Sequence, residues 1–213
     1  MSLDARGALL LASWLSPAYP VGAFAYSHGL EQAAEAGLLP DAAALQAWLE
    51  AILRHGAGRS DAVLLAAAWR DPDDPAPAEL AAALQPSAER ALEATAQGEA
   101  FARTTLAVRG HSGAPAPLPV ALGRAARRED LPLAETAAAY LHAFASNLVS
   151  AAIRLSVLGQ TEAQAVIAAL APVCEAVAAE ALAADPEDVG GACLAVDLSS
   201  IFHETQTTRL FRS

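Results

Sequence analysis

Lysine is absent from this 213-residue chain; all 13 of its basic residues are arginine. That excludes a phosphate-loop lysine, a lysine Schiff base and a lysine general base. Clustered cations are missing too. The net charge is -11 and the pI about 4.8, a poor match to phosphate backbones or anionic membrane surfaces, which need grouped basic residues. No nucleic-acid or membrane partner is therefore expected. Aromatic residues make up only 5% of the chain, and valine and isoleucine are sparse, so strands are poorly supplied. The two cysteines, Cys174 and Cys193, stand 19 positions apart without a CxxC motif. They are expected to be reduced thiols in a cytoplasmic protein. No uninterrupted apolar run reaches the roughly 18 residues of a spanning helix. The segment Met1 to Trp14 carries Asp4 and no A-x-A signature, so no secretory signal is expected.

Recognisable catalytic apparatus is missing as well. His203-Glu204 is not followed by the second histidine of HExxH, and there is no GxSxG, no GxGxxG and no glycine-rich phosphate loop. The five histidines are scattered singly, whereas metal sites announce themselves by ligand clusters. No cofactor, metal site or catalytic residue is assigned.

Alanine is abundant, with 57 residues. It loses no side-chain entropy on entering a helix, so composition points to an all-α protein. Asp41 reads as an N-cap, followed by Leu45, Trp48, Leu49, Ile52 and Leu53 on one face of a 3.6-residue period. Gly56 and Gly58 stop that helix, and Ser60 or Asp61 caps the next, which buries Val63, Leu64, Ala68 and Trp69. Residues 71–77 read as a Pro/Asp loop. Ser87 starts a long alanine-rich helix. Residues 110–119 form a loop and a candidate hinge, with one shared core on either side. Asp130 and Pro132 open a helix to about Leu158. Thr161 to Gln164 reads as a capping box. Val166, Leu170, Val173 and Val177 share the next face, which Pro172 should kink or split. Residues 186–191 make a turn, and residues 193–202 a last short helix. The expected architecture is one bundle of about nine or ten helices, a body of residues 1–202 with a tail of 203–213.

Three segments rise above this background. In the first, residues 16–31, two prolines set an extended turn that leads into a helix. Gly22 and Gly29 are seven apart, so a second backbone could approach, and Phe24, His28, Glu31 and Glu35 are placed on one stripe. This is either a packing groove with a solvated polar edge or a partner surface. The second is an internal polar stripe, His142, Ser146, Ser150 and Arg154, at successive i+4 steps on an otherwise apolar helix. A buried arginine there requires a carboxylate or several carbonyls. The stripe reads as an internal hydrogen-bond network, or alternatively as a polar pathway, a docking seam or an enzyme site. The third is the tail, where Phe202, Leu210 and Phe211 alternate with Arg209 and Arg212. Aromatic and arginine side chains dominate interface energetics, so the tail is a candidate for ordering on a partner. Packing back on its own domain is the alternative.

The run Ser16 to Glu31 resembles the SPxxPxGxFxxSxGLE pattern of the urease accessory protein UreF family. Residues 154–160 resemble its RLxPLGQ segment, with Val157 in place of proline, and residues 203–213 resemble its HExxxxRLFxS ending. The three occur in the family's order. The resemblance implies an all-helical, dimerising, non-enzymatic factor of urease maturation. It implies binding to UreD (also called UreH) and recruitment of the GTPase UreG on apo-urease, where nickel is delivered and a lysine is carbamylated. It places His203, Glu204, Thr205, Arg209, Leu210, Phe211 and Arg212 against UreD. Tyr26, Ser27, His28, Gly29 and Glu31 fall at an assembly surface. A rival reading is a direct nickel carrier using His28, His203 and a cysteine.

Overall fold

A computed structural model describes residues 2–111 and 113–213. Among them the regular structure is entirely helical. Ten α-helices follow one another: α1 Ala5–Trp14, α2 Leu30–Glu35, α3 Ala42–His55, α4 Ala57–Arg70, α5 Ala76–Ala83, α6 Ala88–Arg109, α7 Leu118–Arg128, α8 Leu133–Arg154, α9 Gln160–Ala183 and α10 Leu194–His203. Short 3-10 turns occupy Ala23–Ala25 and Pro186–Asp188.

Helix α4 is the axis, packed against α3, α5, α7, α8 and α9. Its Ala62, Val63, Leu64, Leu65, Ala66 and Ala68 are all buried, as befits a helix apolar around most of its circumference. Small residues let its neighbours approach. A Cβ on Gly123 of α7 would stand 2.4 Å from the Leu65 carbonyl oxygen, so only glycine fits that crossing. The α3 face is as expected, with Leu45, Leu49, Ile52 and Leu53 buried. Asp41 caps α3, accepting from the Ala44 amide at 2.8 Å. Ser87 likewise caps α6, through the Arg90 amide at 3.2 Å.

Several boundaries differ from the sequence reading. Helix α4 begins at Ala57, so Ser60 and Asp61 lie inside it and Gly56 alone makes the break. Both the end of the 71–77 stretch and that of the 110–119 stretch are helical, in α5 and α7, because proline is tolerated in a helix's first turn; Ser112 lies outside the described residues. Asp130 is not a cap but a left-handed residue with φ 55°, and α8 starts three residues later. At α9 the reciprocal bond is made two residues early, by Glu162 accepting from the Gly159 amide at 3.0 Å. Pro172 does not split α9, which continues through it for 24 residues. That helix is also long and apolar enough to cross a membrane by length and composition alone. No uninterrupted apolar run of that length is present, but scattered polar residues in an alanine-rich helix do not lower its mean hydropathy much. One face of α9 packs against α3, α4 and α8.

Away from the core, Glu129 gathers three side chains. It accepts from Arg6 at 2.5 Å, from Arg109 at 2.7 Å and from His111 at 2.8 Å, joining α1 and α6 to the end of α7. The Arg109 guanidinium, foremost among these, holds the carboxyl down at about 2. A depressed carboxyl contributes stability above its unfolded value and loses it as pH falls through the folded value. Glu129→Gln is therefore expected to cost about 2 kcal/mol at pH 7, with the deficit shrinking below pH 4.5 and gone near pH 2. Denaturant titrations across that range check it.

Candidate functional site

The N-terminal motif folds before it meets anything else. Ser16 accepts from the Ala18 amide, and Gly22, at φ 75°, turns the chain into the 3-10 turn Ala23–Ala25. His28 and Gly29 then take two successive left-handed conformations, φ 58° and 76°. This reversal aims Tyr26, Ser27 and His28 inward and starts α2. A non-glycine residue in that region carries backbone strain. A Cβ on Gly29 would meet the Ser200 nitrogen at 2.7 Å, so α10 crosses directly over this turn. Gly22 has open space around it; its glycine serves the backbone angle, not a close approach. Phe24, His28, Glu31 and Glu35 do not share a stripe, because Phe24 precedes the reversal. Phe24 and Glu35 are exposed, while His28 and Glu31 are buried.

The tail packs onto this turn. Helix α10 ends at His203, and the chain doubles back over α2 and the start of α6. Glu31 is the anchor. Its Oε1 accepts from the Leu210 amide at 2.6 Å and its Oε2 from the Phe211 amide at 2.9 Å. His203, fully buried, has Nε2 3.2 Å from Glu31 and Nδ1 2.6 Å from Glu89. Arg209 donates to the other oxygen of Glu89 at 2.5 Å. The Arg212 amide donates to the Ala25 carbonyl, and the Ser27 amide to the Ser213 carbonyl, each at 2.9 Å. Ser213 Oγ donates to Glu93 at 2.7 Å, and Glu93 also pairs with Arg90. Phe211 is buried, with the Arg154 guanidinium 4.3 Å from its ring centre. Glu204 accepts from the Ala88 amide at 2.7 Å, placing a carboxylate on the positive end of α6. Thr205 makes a local bond, donating to the Phe202 carbonyl.

The two segments singled out at opposite ends of the sequence are thus one site. Tyr26, Ser27, His28, Gly29 and Glu31 meet His203, Glu204, Arg209, Leu210, Phe211 and Arg212. The division at 202/203 falls inside α10, and the tail is ordered against its own chain. Sequence reasoning missed the third contributor, the first two turns of α6 with Ser87, Glu89, Arg90 and Glu93. Acidic residues there look like ordinary N-terminal helix chemistry, and nothing local reports that the tail returns to them.

The polar stripe of α8 is not internal. His142, Ser150 and Arg154 are exposed and Ser146 half-buried. The helix buries Tyr140, Leu141, Ala145, Leu148, Val149 and Ala152 instead, so the stripe is the solvent edge of an ordinary amphipathic helix. Arg154 alone joins the tail site, donating to the Phe24 carbonyl at 2.6 Å. His28 is walled in and packs edge-on to Phe144, with ring centres 5.3 Å apart. Burial foremost, with Arg90 nearby, pushes its imidazole well below the usual value. Its Nδ1 has no partner among the described residues. Among the described residues no group of three or more His, Cys, Asp or Glu is arranged to hold a metal ion.

Beside the docked tail lies an exposed apolar strip. Leu194, Leu198, Ile201 and Phe202 run along one face of α10 at helical spacing and are exposed, as are Leu210 and Phe24. Helical faces of this kind mark interaction surfaces.

The family model for UreF matches residues 39–171. A urease accessory protein UreF of Cereibacter sphaeroides (strain KD131) is 54% identical over 205 residues, covering 96% of this chain and 98% of its own. The chain belongs to the UreF family. One from Roseobacter denitrificans is 50% identical over 215 residues, with 100% and 96% covered. One from Rhodopseudomonas palustris (strain HaA2) is 52% identical over 219 residues, with 95% and 92% covered. The family match takes in α3 to α8 and the first half of α9. The near full-length relatives extend it over the UreF motif at residues 16–31 and over the tail, the parts that form the site.

Proposed function

We propose that this UreF-family chain is a non-enzymatic scaffold and regulator of urease maturation. It bridges UreD (UreH) and the GTPase UreG on apo-urease, and couples GTP hydrolysis to nickel delivery and lysine carbamylation. The observation that carries the reading is the docked tail. Glu31 and Glu89 spend their hydrogen bonds holding residues 203–213 in place, and the product is an ordered apolar face of α10 and Leu210 flanked by arginine. A rigid face binds with less ordering cost than a free peptide. UreD takes the face of α10 and the tail, and residues 26–31 support it from beneath. The acidic surface complements basic partners and speeds encounter.

The test separates the surface from its support. Phe202→Asp and Leu210→Asp alter exposed side chains and are expected to leave thermal stability unchanged. Each is expected to weaken co-purification with UreD at least tenfold, and with it recruitment of UreG in the presence of GTP. Undiminished UreD binding by both variants would sink the assignment. Deleting residues 203–213 is the harsher version, because it also empties the seat of buried His203.

A further inference from the structure

Burial alternates along the end of the tail. Phe211 and Ser213 are buried, whereas Leu210 and Arg212 are exposed, so the docked tail turns one side inward and the other outward. The Arg212 amide donates to the Ala25 carbonyl at 2.9 Å, which seats this residue beside Phe24. Its guanidinium lies 5.6 Å from the centre of the Tyr26 ring. At the end of α8, Arg154 donates through Nη1 to the Phe24 carbonyl at 2.6 Å and rests 4.3 Å from the ring centre of Phe211. Two arginines thus adjoin Phe24 and Leu210, which are 66% and 63% exposed.

Neither of these guanidiniums has a carboxylate. The acids of the site are taken: Glu31 by the Leu210 and Phe211 amides, Glu89 by Arg209, Glu93 by Arg90, Gln97 and Ser213, and Glu35 by Gln206. Among the described residues the Arg154 guanidinium donates only to carbonyls, those of Ser150 and Phe24, and that of Arg212 has only the Tyr26 ring. A shortage of acids does not explain this, since the chain has 24 acidic side chains against 13 basic ones. Water satisfies an exposed guanidinium. Covering Phe24 and Leu210 would take that water from the arginines beside them, and a desolvated charge without a counter-charge is costly.

We infer that the protein surface seated on this face is apolar and acidic, and brings carboxylate side chains to Arg212 and Arg154. The inference rests on the reading that UreD takes the tail face, and it names the chemistry UreD offers there. A purely apolar surface would bury both cations unpaired, and a basic one would repel them. A carboxylate accepts both N–H groups of one side of a guanidinium at once, which fixes orientation as well as charge. A nucleic acid or an anionic membrane would also supply anions, but the chain around the two arginines, at a net charge of -11, repels an extended polyanion. A short acidic stretch within an apolar protein surface meets the arginines and the exposed rings without that penalty.

The salt dependence of UreD capture decides it. UreD is bound to the immobilised full chain and released by stepwise increases of sodium chloride, for the unaltered chain and for Arg212→Met, Arg212→Lys and Phe202→Ala. Arg212→Met keeps the apolar stem at an exposed position, so its melting temperature is expected to stay unchanged. Capture at low salt is expected to weaken about tenfold, the usual scale or more for truncating one member of a covered charge pair. The response to salt should flatten as well, because the screened attraction is gone. Arg212→Lys should restore most of the loss. Phe202→Ala should weaken capture and keep the response to salt. Undiminished capture by Arg212→Met, with Phe202→Ala weakened, would overturn the inference and leave the UreD face standing. A loss in Arg212→Met with the response to salt unaltered would assign Arg212 a packing role and overturn it too. Undiminished capture by both would overturn the inference and the UreD face together.

Discussion

Glu31→Ala is expected to release residues 209–213 from the body. One carboxylate accepts two main-chain amides and faces buried His203. Hydrogen bonds to a charged group contribute about 1.5–3 kcal/mol each, so docking should weaken by roughly 3 kcal/mol even after allowing for their coupling. The bundle core lies elsewhere, on α4 and its neighbours, so global melting should move far less than tail docking does. Hydrogen exchange reads this directly. The Leu210 and Phe211 amides should lose their protection while amides of α4 and α8 keep theirs. If both tail amides stayed protected in the variant, Glu31 would not be the anchor. Under the proposed function, the same variant should lose UreD through disorder of the surface, in contrast to Phe202→Asp, which alters the surface and leaves the tail in place. His203→Gln, which keeps bulk but cannot bond to both Glu31 and Glu89 through ring nitrogens, should give a milder form of the same release.

The second large effect has the opposite sign. Asp61→Asn is expected to make the protein more stable at neutral pH. Burial, the largest influence, raises the Asp61 carboxyl to about 6, against the smaller lowering effects of the Tyr140 hydrogen bond and Arg90. A carboxyl raised on folding binds more protons folded than unfolded between its two values, so stability falls as pH climbs through that window. The penalty is absent below about pH 4 and complete above about pH 6. Asparagine keeps an acceptor for Tyr140 and removes the ionisation. Since Asp61 borders a cavity that admits water, the full linkage value is discounted, and a gain of about 2 kcal/mol is expected above pH 6. Denaturant midpoints of the two proteins at pH 4 and pH 8 check it: they should coincide at the first and separate at the second. Equal stability at pH 8 would mean that Asp61 is solvated like a surface carboxylate. A residue that costs stability where asparagine would fit is the pattern of a site kept for something other than folding.

Much of the fold is legible in the order of the residues. Asp41 and Ser87 act as caps because a cap is a contract between residues three apart. The buried faces of α3 and α9 follow a period that any core-facing helix must show. The family motifs at both ends are legible because their residues are individually unusual. Errors arose where a local rule had two outcomes. Ser60 and Asp61 are good caps, yet Gly56 had already broken the chain. Pro172 removes a bond from α9, but packing on α3, α4 and α8 keeps the helix continuous.

Alanine abundance, the lack of lysine and the periodic leucines settled by themselves that the chain would be a helical bundle without lysine chemistry, because helix propensity and amphipathic spacing act over a few residues. That Arg154 is an outer residue, that Glu31 holds the tail, and that Asp61 and Arg90 share a cavity were decided only by tertiary structure. Each depends on segments as far apart as residues 31 and 211 meeting. Burial and pairing are properties of the assembled surface, and no spacing along one helix specifies which carboxylate on another will be there to receive a proton.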